Sequence, residues 1–398
     1  MNFPAKIFVL IFVFLFSASS VFGIEEIPLQ NEEAGNQNEI FQEEEYQDIS
    51  SKPVNQNELN KSFKEKLHDV FKLEISDNNH QEFLLDEIMT KNFQNGILKN
   101  AGIWSVYRGA FNVGFKHHTS SFIEYSMIET RLHGEFKNNK TSFVITTRYA
   151  PQHEFTFMQY MFSDVFIRHN LDKHNILTIG NSRTHTGQEG GRSTFLIPFY
   201  NYSQISRTFG NIRKVGVRIN GDYKLIDYDF GGYSSGTYFR EFFPGAEFCG
   251  WVNFKPLGKT DGRYGDLKIG GGITSGRCHF NYNTAGGYAR YRYKKIGADF
   301  EVANSDGCNG RYGSSNVHAR GFYTTLYYNL NKKFQLLVRY DEFTPNCTAS
   351  RQKSREYSAG LNYFIKGQAL KFMLNYVFRQ DDNAKNSHRI LIGTQILL

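Results

Sequence analysis

The chain has 398 residues and a net charge of +7, is 40% hydrophobic and 16% aromatic, and is polar on average. After its first two dozen residues no apolar run is long enough to span a bilayer as a helix, and no pattern calls for nucleic acid. The charge is divided unevenly. Residues 24–95 carry 17 acidic and 6 basic side chains, whereas residues 96–398 carry 39 basic and 22 acidic ones.

The first element, MNFPAKIFVLIFVFLFSASSVFG, has a basic start, a short apolar run from Ile7 to Phe16 and a small-residue exit. It reads as a cleaved export signal over 1–23. Residues 24–100 follow as an acidic, Gln- and Asn-rich segment. They hold few residues able to build a core, so the segment is expected to be largely disordered or short-helical in the periplasm. One helix is expected over 57–73, with Leu59, Phe63, Leu67, Val70 and Phe71 along one stripe.

Residues 101–398 change rhythm. Segments of about ten residues alternate apolar with polar side chains, the signature of a transmembrane β-barrel. Sixteen strands are expected, at 103–116, 121–137, 141–150, 157–169, 174–181, 213–220, 223–234, 246–255, 266–274, 287–294, 296–304, 316–329, 333–343, 355–365, 369–380 and 387–398. Tight turns such as Asn138-Asn139-Lys140, Asn331-Lys332 and Lys366 to Gln368 alternate with longer connections. That alternation fits short periplasmic turns and longer external loops. The last three strands are the clearest. ALKFMLNYVFRQDD sets Leu370, Phe372, Leu374, Tyr376 and Phe378 on one face, and Lys371, Asn375 and Arg379 on the other. A strand that runs to the end of the chain needs partners on both edges, and closure of a barrel supplies them. The fold class is therefore all-β: a 16-stranded antiparallel transmembrane barrel. It would sit in the outer membrane of a bacterial cell, in contact with its lipid.

The longest gap between strands, Ser182 to Ile212, lies in the third external position. Gaps of this length are usually functional or disordered, and Phe195, Leu196, Ile197, Phe199 and Tyr200 argue against disorder. A loop folded into the lumen would bury these against the wall and present Arg183, Arg192 and Arg207 to the pore. A loop packed over the external rim is the competing arrangement.

Strand parity decides which cations meet water. Arg or Lys facing lipid at mid-depth costs about 2–4 kcal/mol. Val215, Val217 and Ile219 then face out, leaving Lys214 and Arg218 inward. Ala289, Tyr291 and Tyr293 face out, leaving Arg290, Arg292 and Lys294 inward. The same rule turns Arg131, Arg148, Arg168, Arg339, Lys371, Arg379 and Arg389 inward. Such a lumen favours small anions, passed from site to site, and the planar guanidinium fork suits oxyanions. The opposing possibility is that these cations pair across the wall with Glu129, Glu135, Asp164 or Asp341. The four cysteines would sit in an oxidising compartment, on the external side, and the expected bridges are Cys249–Cys278 and Cys308–Cys347. No spacing suggests a metal or a cofactor, and no Ser or Cys is placed with an Asp/His pair as an enzyme would require.

Several of these strands resemble the phosphate-selective porin O/P family, from about Met127 to the C-terminus. IETRLHGEFKN is similar to the family's early strand, DVFIRHNLDKHNILTIGNSRTHTG to its strand–turn–strand before the third loop, and RKVGVRINGDY, GWVNFKPLG and YSAGLNYFIKGQALKFMLNYVF to later strands. The resemblance implies a homotrimeric porin that passes anions, phosphate among them, past inward basic side chains, and it gives Arg183 the place of the family's entry Lys. The family's Pro-Phe-Ser-Leu-Glu text is absent from the matching place in the loop, and the last residue is Leu398 rather than an aromatic. The function that follows is a passive anion-preferring channel narrowed by its third loop. The alternative is a structural or adhesive surface protein whose disulfide-tied loops matter more than its pore.

Overall fold

The computed structural model describes residue 86 and residues 90–115, 119–123, 126–150, 161–236, 243–260, 262–310, 313–348, 352–382 and 384–397. The expected export signal and the helix over 57–73 lie outside the described residues. In chain order the strands are β1 Leu98–Phe115, β2 Thr119–Ile123 continued as Met127–Phe136, β3 Thr141–Tyr149, β4 Phe162–Asn170, β5 Asn175–Arg183, β6 Arg213–Asp222, β7 Ile226–Ser234 and β8 Ala246–Phe254. Then come β9 Asp266–Cys278, β10 Phe280–Tyr293, β11 Ile296–Gly310, β12 Gly313–Asn329, β13 Phe334–Thr344, β14 Ser354–Lys366, β15 Leu370–Asp381 and β16 Ser387–Leu397. Both pieces of β2 pair with β1, so they count as one interrupted strand.

Every strand pairs antiparallel with the next in sequence, and β16 closes on β1 from Leu397↔Val106 to His388↔Phe115. Closure leaves no free sheet edge among these strands, a requirement for backbone inside a bilayer. Side-chain parity does the rest. Along β15, Lys371, Met373, Asn375 and Val377 are buried, whereas Phe372, Leu374 and Tyr376 between them are exposed. On β1, Trp104, Val106, Arg108, Ala110 and Asn112 are buried and Ile103, Tyr107, Phe111 and Phe115 are exposed. An exposed face of Ile, Leu, Phe and Tyr on a sheet whose other face holds the charges places lipid outside and polar groups inside.

Two pairs of strands run further than their hydrophobic alternation suggests. β9 continues to Cys278 and β10 begins at Phe280, so one residue, His279 with φ +65°, makes the turn where a loop over 275–286 was expected. β11 and β12 likewise stay paired out to Gly310↔Gly313, past a bulge at Asp306 to Cys308. The texts SDGCNG and GSSNVHAR put polar residues on both faces. Beyond the lipid both faces meet water, so the alternation disappears while the hydrogen-bonded ladder persists.

These extensions overturn the expected disulfides, since no bond joins any of the four cysteines. Cys249 stands opposite Thr274, four positions short of Cys278. At ~3.4 Å per residue that is roughly 14 Å, well past the roughly 7 Å Cα separation a disulfide tolerates. Cys308 is fixed in β11 opposite Ser315, while the Cys347 amide bonds to His318 O, three positions further along β12. Strands hold these sulfurs apart where loops were expected to bring them together. Lys294 is also displaced from its expected place on a strand. It occupies the β10–β11 turn with φ +51° and is exposed there.

Candidate functional site

The connection from Thr184 to Ile212, here called L3, folds into the barrel. Its ends meet where Thr184 N donates to Ile212 O (3.0 Å), and it contains a short 3-10 turn, Thr194–Leu196, and a helix α1, Gln204–Phe209. Its apolar side chains dictate the position. Phe195 packs edge-on against Trp104 at 5.7 Å, in a cluster with Val106, Ala369 and Leu397. Phe199 packs with Tyr327 and Leu337, and Tyr200 with Ala110, Met373, Val377 and Leu391. Ile205 and Phe209 pack with Ala303, Ala319, Tyr323 and Phe343. L3 therefore lies along the inner faces of β11 to β16 and of β1. Burial of these five side chains is worth about 1.5–3 kcal/mol each.

Because the wall is polar, L3 is also tied down by directed bonds. Glu301 of β11 accepts from the amides of Gln188 (2.9 Å) and Glu189 (3.2 Å) and from Tyr323 Oη (2.8 Å). Gly187, at φ +77°, makes that approach possible, since a Cβ there would lie 2.1 Å from Glu301 Oε1. Asp341 accepts from the Gln204 amide at the start of α1 (2.7 Å), and the Ser203 hydroxyl caps the same helix. Arg339 reaches furthest into L3. Its guanidinium pairs with Glu189, donates to Asn201 O (3.2 Å) and Thr325 Oγ1 (2.9 Å), and stacks over Phe199 at 4.6 Å. The other oxygen of Glu189 accepts from Ser203 N (2.7 Å). Asn362 donates to Pro198 O (2.9 Å), and Asn375 accepts from Tyr200 N (2.8 Å).

Most of the cations read from the sequence meet a carboxylate. Lys214 pairs with Glu247, Arg218 with Asp229, Arg290 with Asp266 (3.2 Å) and Arg292 with Asp299 (2.8 Å). Arg148 pairs with Glu129, its Nε at 2.9 Å. Near the outer end of β14, Arg207 of α1 (3.0 Å), Arg379 (3.4 Å) and Arg389 (3.4 Å) converge on Glu356, and Arg379 also contacts Asp381. The four expected counter-ions behave differently. Glu129 takes Arg148, Glu135 takes Lys99 (2.9 Å), and Asp164 takes Arg213 (3.1 Å). Asp341 accepts from the L3 backbone instead. Pairing of this kind is what a buried charge needs, because removing one partner leaves an uncompensated ion.

The remaining cations have other surroundings. Arg183, at the end of β5, donates to Asn211 Oδ1 across the foot of L3. Lys371 donates to Phe195 O (3.3 Å) and Gln368 Oε1 (2.8 Å). Arg192 is buried within L3, where its own carbonyl accepts from Tyr202 Oη (2.8 Å). Arg168 lies over the Phe166 ring at 5.2 Å. Arg131 meets Asp86, a residue that precedes the barrel (2.6 Å).

Sequence reasoning missed two residues of this site. Arg108 donates to Phe199 O (3.0 Å) and lies 4.5 Å above the Tyr200 ring, next but one to Lys371 through Gln395 on the inner row. Its signal was present, since Tyr107 and Phe111 fix the outward parity of β1 and leave Arg108 inward. Asp86 carried no signal, being one of 17 acidic residues in residues 24–95.

Comparison with known proteins agrees with this architecture. The family described as phosphate-selective porin O and P matches residues 272–396, from within β9 into β16. The resemblance read from Met127 onward is thus carried by the C-terminal part, and β2 to β8 lie outside the match. No curated protein matches the chain. Among solved structures, an anion-selective porin from Comamonas acidovorans aligns with TM-score 0.55 at 8% identity, over 75% of this chain and 99% of that one. The outer membrane channel DcaP of Acinetobacter baumannii gives 0.55 at 8%, over 77% and 99%. Salmonella typhi OmpF in complex with daunomycin gives 0.57 at 8%, over 77% and 100%. At such identities these likenesses establish the fold, a 16-stranded porin barrel.

Proposed function

We propose that this chain is an outer-membrane porin that passes small anions in preference to cations, with L3 as its constriction. The observation that supports the reading is a strip of inner wall from β2 to β6. It contributes the guanidiniums Arg131, Arg148, Arg168, Arg183 and Arg213, and Lys99 lies at its lower edge. Its own carboxylates are Glu129, Glu135 and Asp164. Arg108 of β1 and Lys371 of β15 add two further inward cations, which donate to carbonyl and amide oxygens. A local excess of fixed positive charge between low-dielectric walls concentrates anions and repels cations. Guanidinium forks favour oxyanions over spherical halides, so phosphate or a related oxyanion is the proposed solute class. The anion-selective porin among the structural neighbours and the name of the matching family point the same way. The homotrimer implied by the resemblance is proposed with it, and chemical cross-linking of the purified chain tests that part.

The test is the reversal potential of the purified chain in a planar bilayer under a KCl gradient. Anion preference is expected, with phosphate reducing the chloride current. Replacing Arg168 and Arg183 together by Glu should abolish or reverse the preference. A wild-type channel that favours potassium, or a double variant that keeps its selectivity, would refute the reading. The alternative of a surface protein with disulfide-tied loops loses its ties, since the four thiols are not joined.

A further inference from the structure

On the inner face of β1 and β2 three buried side chains converge on one carboxylate that does not belong to the wall. Trp104 and Arg131 are cross-strand partners, and His133 is two residues further along β2, opposite Gly102. They are 2%, 3% and 4% exposed. Asp86 precedes β1 by a dozen residues. Its Oδ1 accepts from Trp104 Nε1 at 2.9 Å and lies 3.4 Å from His133 Nδ1, and its Oδ2 accepts from Arg131 Nη2 at 2.6 Å. The guanidinium lies 5.8 Å from the centre of the Trp104 ring. Neither ring nitrogen of His133 has a hydrogen-bond partner among the described residues, so the pocket keeps buried polar atoms that its present occupant does not use.

We propose that Trp104, Arg131 and His133 form a carboxylate-binding site on the inner wall beneath L3, and that Asp86 is its tethered and displaceable occupant, in competition with carboxylate solutes. The wall supplies every donor, so the site exists independently of the segment that now fills it. Donors arranged to meet two oxygens in one plane fit a carboxylate. Trp104 packs with Phe195 and Val106, so one side of the pocket is apolar, a poor surface for the further oxygens of a phosphate. Asp86 keeps 15% of its side chain exposed, so water and solute have access to it. It belongs to a segment whose acidic residues outnumber basic ones by 17 to 6, which the basic lumen attracts. Tethering holds a ligand at an effective concentration in the millimolar range, enough to mask the site from dilute solute. Trp104 also packs on Phe195, so whatever occupies the site adjoins the loop that narrows the pore. The inference goes beyond anion preference and rests only on the lumen being wet.

The chain has two tryptophans, Trp104 and Trp251. With Trp251→Phe in the full-length purified chain, Trp104 becomes the only indole, and its emission reports occupancy without any measurement of current. Succinate, phosphate and chloride are titrated in turn. In the Asp86→Ala chain, succinate is expected to give a saturable change with half-saturation about tenfold lower than in the Asp86-containing chain. Arg131→Gln added to Asp86→Ala should remove that response, and phosphate should compete poorly. Asp86→Asn serves as the milder variant, and heat-modifiable electrophoretic migration confirms a closed barrel. The proposal is overturned if Asp86→Ala responds no more strongly than its parent, if Arg131→Gln leaves the response intact, or if phosphate matches succinate. It is also overturned if neither Asp86 variant closes its barrel, since Asp86 would then be a structural tie. Because emission is the readout, failure here leaves the bilayer result for chloride and phosphate standing, and the reverse also holds.

Discussion

Replacing Arg339 by Met should loosen L3 without opening the barrel. The Arg339 and Glu189 side chains are 4% and 2% exposed, and among the described residues no other cation pairs with that carboxylate. Met keeps much of the volume and leaves Glu189 as a buried, unpaired ion, a change that costs about 3–5 kcal/mol. The five apolar anchors of L3, Phe195, Phe199, Tyr200, Ile205 and Phe209, together contribute on the order of 10 kcal/mol. The loop therefore stays docked on average, while its local opening becomes more frequent by about two to four orders of magnitude. Hydrogen exchange measures this directly at the amides of Gln188, Glu189 and Ser203, whose acceptors are Glu301 and Glu189. Strand amides of β14 and β15 should keep their protection, and single-channel current should become noisier. Adding Glu189→Gln removes the stranded charge and should restore most of the lost protection, a coupling that a double-mutant cycle quantifies. Unchanged exchange in Arg339→Met, or losses that simply add in the double variant, would refute the assignment of this pair as the latch.

Two further outcomes follow from the outer surface. Cys249 and Cys308 are buried in strands and Cys347 is half-exposed, so brief maleimide treatment of the folded protein should label Cys347 well ahead of those two. After unfolding without reductant all four cysteines should take up label, and a shortfall of two would restore a disulfide. At the β15–β16 connection the Asp382 carboxyl is held below its ordinary value, first by the Lys353 amide (2.9 Å) and then by Arg355 (2.8 Å). A depressed carboxylate contributes above its unfolded value, about 3.9, and its contribution fades as pH falls through the folded one. Proteolytic nicking of this connection should therefore rise below about pH 4, and Asp382→Asn should show the raised rate at neutral pH with no further acid step.

Strand number, pairing order and lumen-facing parity were legible because lipid on one face and water on the other impose a period of two on the sequence. Where that contrast ends the reading ended too. β9 to β12 continue into surroundings that are wet on both faces, and the cysteines there were assigned to loops. L3 was legible as an apolar insertion, and its landing place was written in the strands as well. Met373 and Val377 of β15, and Leu391 of β16, are apolar residues at inward positions, which a bare aqueous wall would not hold. Their partner is Tyr200. What parity could not supply was pairing. It turns Arg292 and Arg168 inward alike, but only the register sets Arg292 beside Asp299 on β11, and only the folded loop carries Glu189 to Arg339.

The distribution of paired charge decides where selectivity should respond to mutation. Beneath and beyond L3, from β6 to β13, Lys214, Arg218, Arg290, Arg292 and Arg339 each have a carboxylate in contact, so a distant anion sees pairs and little net field. From β2 to β5 Arg131 pairs with Asp86 and Arg148 with Glu129, whereas Arg183 donates to Asn211 and Arg168 lies over the Phe166 ring. A unit charge acting through water at ~6 Å is worth about 0.7 kcal/mol. Reversing one raises an anion and lowers a cation by about twice that, and screening at 0.1 M leaves roughly a tenfold change in their permeability ratio. Arg168→Glu should approach this figure. Arg292→Gln strands Asp299 against Tyr327, and should cost stability while moving the ratio by a smaller factor. Reversal potentials and thermal unfolding measured on both variants separate the two roles, and a larger shift in ratio from Arg292→Gln would refute the division of the lumen into a paired strip and a selective one.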